Sequence, residues 1–203
     1  MTIDLGPMRG VLGQLTTPTV LLGLMCYTLN GEAGAAKRAA QSFLAGRERD
    51  ATARFIGPKK AEARLMVTTA GTAAAFIWPL DSRKRALRGA FPRRGEDLRL
   101  LLNLDENELS SLRGVRNSLM HIDERMEELY LSDSFHLFSV WKITTDPVQG
   151  GNFMSWNPET EVLSFLDLEI CVPNLIELLT LIEHRAWAAV QTLQQVFEED
   201  ALP

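Results

Sequence analysis

The segment Arg113-Gly-Val-Arg116-Asn117-Ser-Leu-Met-His121-Ile-Asp123-Glu124-Arg125 carries guanidinium, carboxamide and imidazole groups within a little over two helical turns. It overlaps a stripe of Leu112, Val115, Leu119, Ile122, Met126 and Leu129, whose gaps of three and four mark the buried face of a helix. Placing the stripe at core positions a and d puts Arg116 beside the core at e, and Asn117 and His121 on the opposite face. Core burial therefore does not account for them. Asn117 and His121 are four residues apart and Arg113 continues their row, so an amide lies over an imidazole and can fix its orientation and tautomer. A second concentration of charge is Arg83, Lys84, Arg85, Arg88, Arg93 and Arg94, near Phe91. Such a stretch can track a phosphate backbone through its local field. The same charges also fit a solvated loop, or a surface that neutralises an acidic half of the fold.

The elements that must position these groups are mainly helical. Pro18 fits a helix start after Thr16 and Thr17, and Val20, Leu21, Leu24, Tyr27 and Thr28 predict a first helix to about Asn30. Gly31 and Gly34 punctuate it. Ala-rich residues 32 to about 54 predict a second helix stopped by Gly57-Pro58, and Lys60 to Ile77 a third, ended by Trp78-Pro79, with small residues that permit close packing. Gly95 to Leu102 reads as a short helix, and the stripe predicts one continuous helix over 106–131. From Leu137 to Thr144 the chain turns aromatic and β-branched. Phe153 to Trp156 and Val162 to Leu168 flank the turn sequence Asn157-Pro158-Glu159-Thr160, predicting a small hairpin or sheet. Pro173 then opens a long terminal helix. One domain over 1–203 is expected, with a helical core at about 15–131 and 173–200 and a β element at about 137–168.

Composition narrows the chemistry. The 203 residues, 46% hydrophobic and 23% charged, are ordinary globular composition, which excludes disordered and collagen-like classes. Residues 1–100 hold 16 basic and 8 acidic side chains, a balance of +8, and residues 101–203 hold 5 and 18, a balance of −13. Cys26 and Cys171 are the two cysteines, far apart and without metal or redox spacing, which fits a reducing cytoplasm. The longest apolar run, Val20 to Leu29, falls short of the ~20 residues that span a bilayer. The N-terminus makes a poor signal peptide, so a soluble, unprocessed cytoplasmic protein without a membrane partner is expected. His121, His136 and His184 show no metal-ligand spacing, and neither a phosphate-binding Gly loop nor a nucleophile elbow is present. No metal or cofactor is expected. Trp156 fits either packing against the terminal helix or stacking on a base.

The run Arg116-Asn117-x-x-x-His121, late in a helical core, resembles the signature of the HEPN superfamily: an Arg, often followed by Asn, with His four to six residues after the Arg. The resemblance covers about residues 15 to 131 and the last helix, and leaves the β element unplaced. It implies a mainly α, HEPN-like helical bundle with a small β hairpin or sheet before the C-terminal helix. In active members it implies metal-independent RNA cleavage in which the RNA's 2′-hydroxyl attacks the neighbouring phosphate. His121 would exchange the proton, Arg116 would bind the phosphate and stabilise transition-state charge, and Asn117 would orient either one. Arg113 and the basic stretch would bind RNA. Arg116 and His121 lie about 140° apart around a helix axis, so a site composed by two copies is the natural geometry, as in the family's dimers. The expected function is a homodimeric endoribonuclease of defence or toxin type, with RNA as substrate and an antitoxin or other protein as a further partner. The alternative is a catalytically silent module for dimerisation or for binding a nucleotide or protein, in which His121 is inert and Arg116 pairs with Glu124 or Glu127. In members paired with a nucleotidyltransferase antitoxin, a Tyr two residues after the His is the modification target. Asp123 stands there in this sequence.

Overall fold

The computed structural model describes residues 17–45, 56–78, 93–131, 142–143, 154–166 and 168–200. In chain order the elements are α1 (Thr17–Ala45), α2 (Ile56–Ile77), α3 (Arg94–Leu101), α4 (Ser110–Met120), α5 (Ile122–Leu131), β1 (Lys142–Ile143), β2 (Met154–Asn157), β3 (Val162–Phe165), β4 (Leu168–Cys171) and α6 (Val172–Asp200). The protein is mainly helical, with a small sheet immediately before the last helix, as the change of period predicts. No helix among the described residues is long and apolar enough to cross a membrane.

Helix α1 packs along both α2 and α6. Its buried face includes Leu22, Met25, Leu29, Ala33, Ala36, Ala40 and Phe43, at the spacings a 3.6-residue repeat requires. The expected break at Gly31 and Gly34 is absent, and the first two predicted helices are one as far as Ala45. Packing overrides the weak helix propensity of glycine here. A Cβ on Gly34 would stand 2.7 Å from Glu183 Oε1, so this glycine is where α6 comes close. Asn30 Nδ2 donates to the Glu183 carbonyl at 2.9 Å, and Lys37 pairs with the Glu183 carboxylate.

Gly57-Pro58 begins a helix where a stop was expected, because both residues fall in the first turn of α2. The backbone N–H groups of that turn have no partner within the helix, so proline costs nothing there. Residues 46–55 lie outside the described residues. Small side chains on α2 (Ala63, Ala70, Ala73, Ala74) are buried. A Cβ on Gly71 would stand 2.1 Å from Leu119 Cδ1, so the missing side chain is what lets α4 approach α2. On its other flank Gly114 admits β4, with Leu168 Cδ1 2.7 Å from the place a Cβ would take. Two glycines thus seat α4 between α2 and the sheet.

The continuous helix expected over 106–131 is corrected in two respects. Residues 106–109 form turns before α4, and at His121 (φ −117°, ψ 30°) the chain leaves helical geometry before α5 begins. His121 is the C-cap of α4 and the residue immediately before α5, and its Nδ1 lies 3.0 Å from Oε2 of Glu124, three residues on. Leu112 and Val115 are fully buried, Leu119 and Ile122 pack half-buried against the core, and Ser118 is buried beside them. The stripe marks the inward side over α4 and as far as Ile122. The side chains of Met126 and Leu129 lie outside the described residues.

The strands are in sheet order β1-β2-β3-β4, with β1 parallel to β2 and the remaining pairs antiparallel. Only Lys142 and Ile143 of the expected strand over 137–144 are among the described residues. Asn157 Oδ1 accepts from the backbone N–H groups of Glu159 (2.9 Å) and Thr160 (3.2 Å), closing the predicted turn. The single strand expected from Val162 to Leu168 is two, because Leu166 adopts φ 55° and reverses the chain into β4. Trp156 is fully buried and meets Phe43 of α1 edge-on, ring centroids 4.7 Å apart, so it packs in the core against the first long helix. Beside them Lys59 is buried, its ammonium 4.4 Å from the Phe43 ring centroid and donating to the Phe43 carbonyl, which ties the start of α2 to α1.

Candidate functional site

The end of α2, the start of α3 and the exposed side of α4 enclose a cleft of about 270 Å³. Arg99 braces it. One of its guanidinium nitrogens donates to the Ile77 carbonyl at the end of α2 (2.9 Å), and another pairs with Glu106 at 3.0 Å, in the turn leading to α4. The same guanidinium stands 5.7 Å from the Trp78 ring centroid. A cation at a helix C-terminus also meets the negative end of the helix dipole, so the contact suits the fold before any ligand is considered.

Arg93, Gly95 and Glu96 form the opposite lip. Arg93 Nε donates to Glu96 Oε2 at 2.6 Å, and this carboxylate holds the exposed Arg93 guanidinium above its ordinary range, with Asp97 contributing. Arg93 is the N-cap of α3 and makes no side-chain cap, so the first N–H groups of that helix are left to other partners.

Arg113, Arg116 and Asn117 of α4 complete the wall. Arg116 Nη1 donates to Asn117 Oδ1 at 2.8 Å, while Arg116 Nε is buried and without a hydrogen-bond partner among the described residues. Neither Arg113 nor Arg116 has a carboxylate within ion-pair distance among the described residues. In particular, Arg116 pairs with neither Glu124 nor Glu127. A buried donor left unmatched costs about 1–3 kcal/mol; Trp156 Nε1 and Ser155 Oγ of β2 share that state among the described residues, and Arg116 differs from them in lining the cleft.

Of the residues singled out in the sequence, Arg93, Arg113, Arg116 and Asn117 therefore come together, although Arg93 and Arg113 are far apart in the chain. Arg94 is half-buried and does not line the cleft. Arg83, Lys84, Arg85 and Arg88 lie outside the described residues. His121 is exposed, lies outside the cleft lining, and meets Glu124 where Asn117 was expected. Its backbone N–H still bonds the Asn117 carbonyl at 3.2 Å, so the row survives in the main chain while the two side chains take different partners. Sequence reasoning missed Arg99 and Trp78. In the sequence Trp78 marks only a helix stop, and its place beside the basic stretch is the available signal.

Among the described residues, no three His, Cys, Asp or Glu side chains gather as metal ligands. Cys26 is fully enclosed, and burial pushes its thiol up to about 12. No protein-family model, curated protein or solved structure matches the chain.

Proposed function

We propose that the protein is a HEPN-like, metal-independent endoribonuclease of defence or toxin type that works as a homodimer. The observation that carries this reading is the gathering of Arg113 and Arg116, unpaired by any carboxylate among the described residues, in one cleft on the helix that also ends in His121. Arg116, oriented through Asn117, holds an RNA phosphate by charge-assisted hydrogen bonds. The 2′-hydroxyl of the preceding ribose attacks that phosphorus, a P–O bond forms as the bond to the 5′-oxygen breaks, and the products are a cyclic phosphate and a 5′-hydroxyl end. His121 transfers the proton. Because it is exposed and stands outside its own cleft, the histidine acts across a dimer contact at a cleft of the partner copy.

Purified protein is expected to cut single-stranded RNA in excess EDTA and to spare DNA, which lacks the 2′-hydroxyl. His121→Ala is expected to lower the rate by about 10² to 10⁴ with an unchanged melting curve. Wild-type activity in that variant, or a chain that light scattering finds monomeric at micromolar concentration, would overturn the reading. The specific observation favouring a second reading is the His121–Glu124 contact, which occupies the imidazole within its own chain. On that reading the cleft binds without cutting, and the chain is a dimerisation or binding module for a nucleotide or a protein partner.

A further inference from the structure

We infer that the cleft between α2, α3 and α4 recognises a terminal phosphate, a phosphomonoester carried by an RNA end or a nucleotide, in preference to an internal phosphodiester. The inference deepens the reading above and rests on it only for RNA as the carrier of that phosphate. It begins with charge. Arg93 is matched by Glu96 and Arg99 by Glu106, so the cleft's surplus is the two guanidinium groups of Arg113 and Arg116. An internal phosphodiester brings a single negative charge and leaves one guanidinium uncompensated. A phosphomonoester carries about −1.5 to −2 near neutral pH and has three strong acceptor oxygens, enough to satisfy both.

Size and shape point the same way. The cavity, about 270 Å³, lies just below the ~300–1,000 Å³ usual for whole small-molecule pockets. It has room for a phosphate and the nucleoside next to it. Trp78, half-buried against the core with the Arg99 guanidinium over its ring, gives the cleft an aromatic edge that an end base can meet. The start of α3, uncapped by its own Arg93, adds backbone donors and the positive end of a helix dipole. The buried Nε of Arg116 supplies a donor that is still unmatched among the described residues. The aromatic edge favours a nucleotide carrier over a phosphorylated peptide. A guanidinium has five donors in a fork, so Arg116 can serve both the terminal phosphate and the linkage beside it. Cleavage is then confined to the nucleotides next to the phosphorylated end.

The test uses the full chain and 2′-O-methyl RNA tetranucleotides, which cannot be cut by 2′-hydroxyl attack, bearing a 5′-phosphate, a 3′-phosphate or neither. Titration calorimetry is expected to show one phosphorylated form binding about tenfold tighter than the unphosphorylated one, with inorganic phosphate competing. The two phosphorylated arms identify which end is read. Arg113→Ala, an exposed substitution, should erase that preference and keep the wild-type melting temperature. Equal affinity for all three RNAs, a preference that survives Arg113→Ala, or a phosphoserine peptide that binds as tightly as the RNA would overturn the inference. Loss of the terminal-phosphate preference in a protein that cuts RNA in EDTA would sink the inference alone. The preference retained in a protein that cuts no RNA would sink the endoribonuclease reading alone.

Discussion

The seam between α1 and α6 and the cleft between α2, α3 and α4 use similar side chains to opposite ends. Along the seam, polar groups are matched as they enter: Asn30 to the Glu183 carbonyl, Lys37 to the Glu183 carboxylate, and Gly34 making the space they need. In the cleft the cations outnumber the carboxylates, and one guanidinium nitrogen is buried without a partner among the described residues. Among the described residues Trp156 Nε1 and Ser155 Oγ in the sheet are buried and unmatched too, so the surplus of cations, and not the unmatched nitrogen, sets the cleft apart. The contrast separates side chains whose charge is matched within the fold from side chains whose charge is not, a distinction residue type alone does not make.

The comparison can be broken from its packed side first. Phe43→Ala, which removes the ring against Trp156 and Lys59, is expected to cost about 3–5 kcal/mol in denaturant unfolding. A cost under about 1 kcal/mol would place the sheet outside the cooperative core. Gly71→Ala comes next, at about 1–3 kcal/mol, since its Cβ would collide with Leu119. Adding Leu119→Ala to it should cost less than the sum of the two single changes, because one collision is shared. Gly31 has nothing within 4 Å of an added Cβ, so Gly31→Ala should stabilise the chain by about 0.5–1 kcal/mol. On the cleft side, Arg113→Ala should shift stability by no more than about 0.5 kcal/mol. A loss comparable to that of Phe43→Ala would mean that the arginines are structural and the contrast false.

The smallest effect at neutral pH belongs to Cys26. Its thiol is raised from 9.0 to about 12 in the folded chain, so the fold favours the protonated form. The contribution is therefore fully present below the unfolded value and is lost as pH rises from about 9 toward 12. Wild-type protein should lose more stability over that window than Cys26→Ala, and a thiol reagent at pH 8 should modify half-buried Cys171 well before Cys26.

Much of the framework was legible along the chain because its causes are local. The apolar spacing of α1, α2 and α6, the turn at Asn157 and the change of period before the last helix all arise from residues within a few positions of one another. The misplaced boundaries have the opposite origin. Gly31 and Gly34 look like breaks until α6 is set beside them, and Gly57-Pro58 looks like a stop until it is seen to fall in a first turn. The turn at His121 was hidden because a stripe with gaps of three and four reports the inward side and carries no signal of straightness.

The sequence by itself determined the helical class, the late sheet and the placing of Arg113, Asn117 and His121 away from the main stripe, since each follows from periodicity and residue type. Only the tertiary structure decided that Arg93 and Arg99 face Arg113 and Arg116 across a cleft walled by Trp78, and that His121 stands outside it. Such a meeting depends on how closely α2, α4 and the sheet approach, a distance set by the side chains missing at Gly71 and Gly114. No pattern within a single segment records the space left for a neighbour that is distant in the chain.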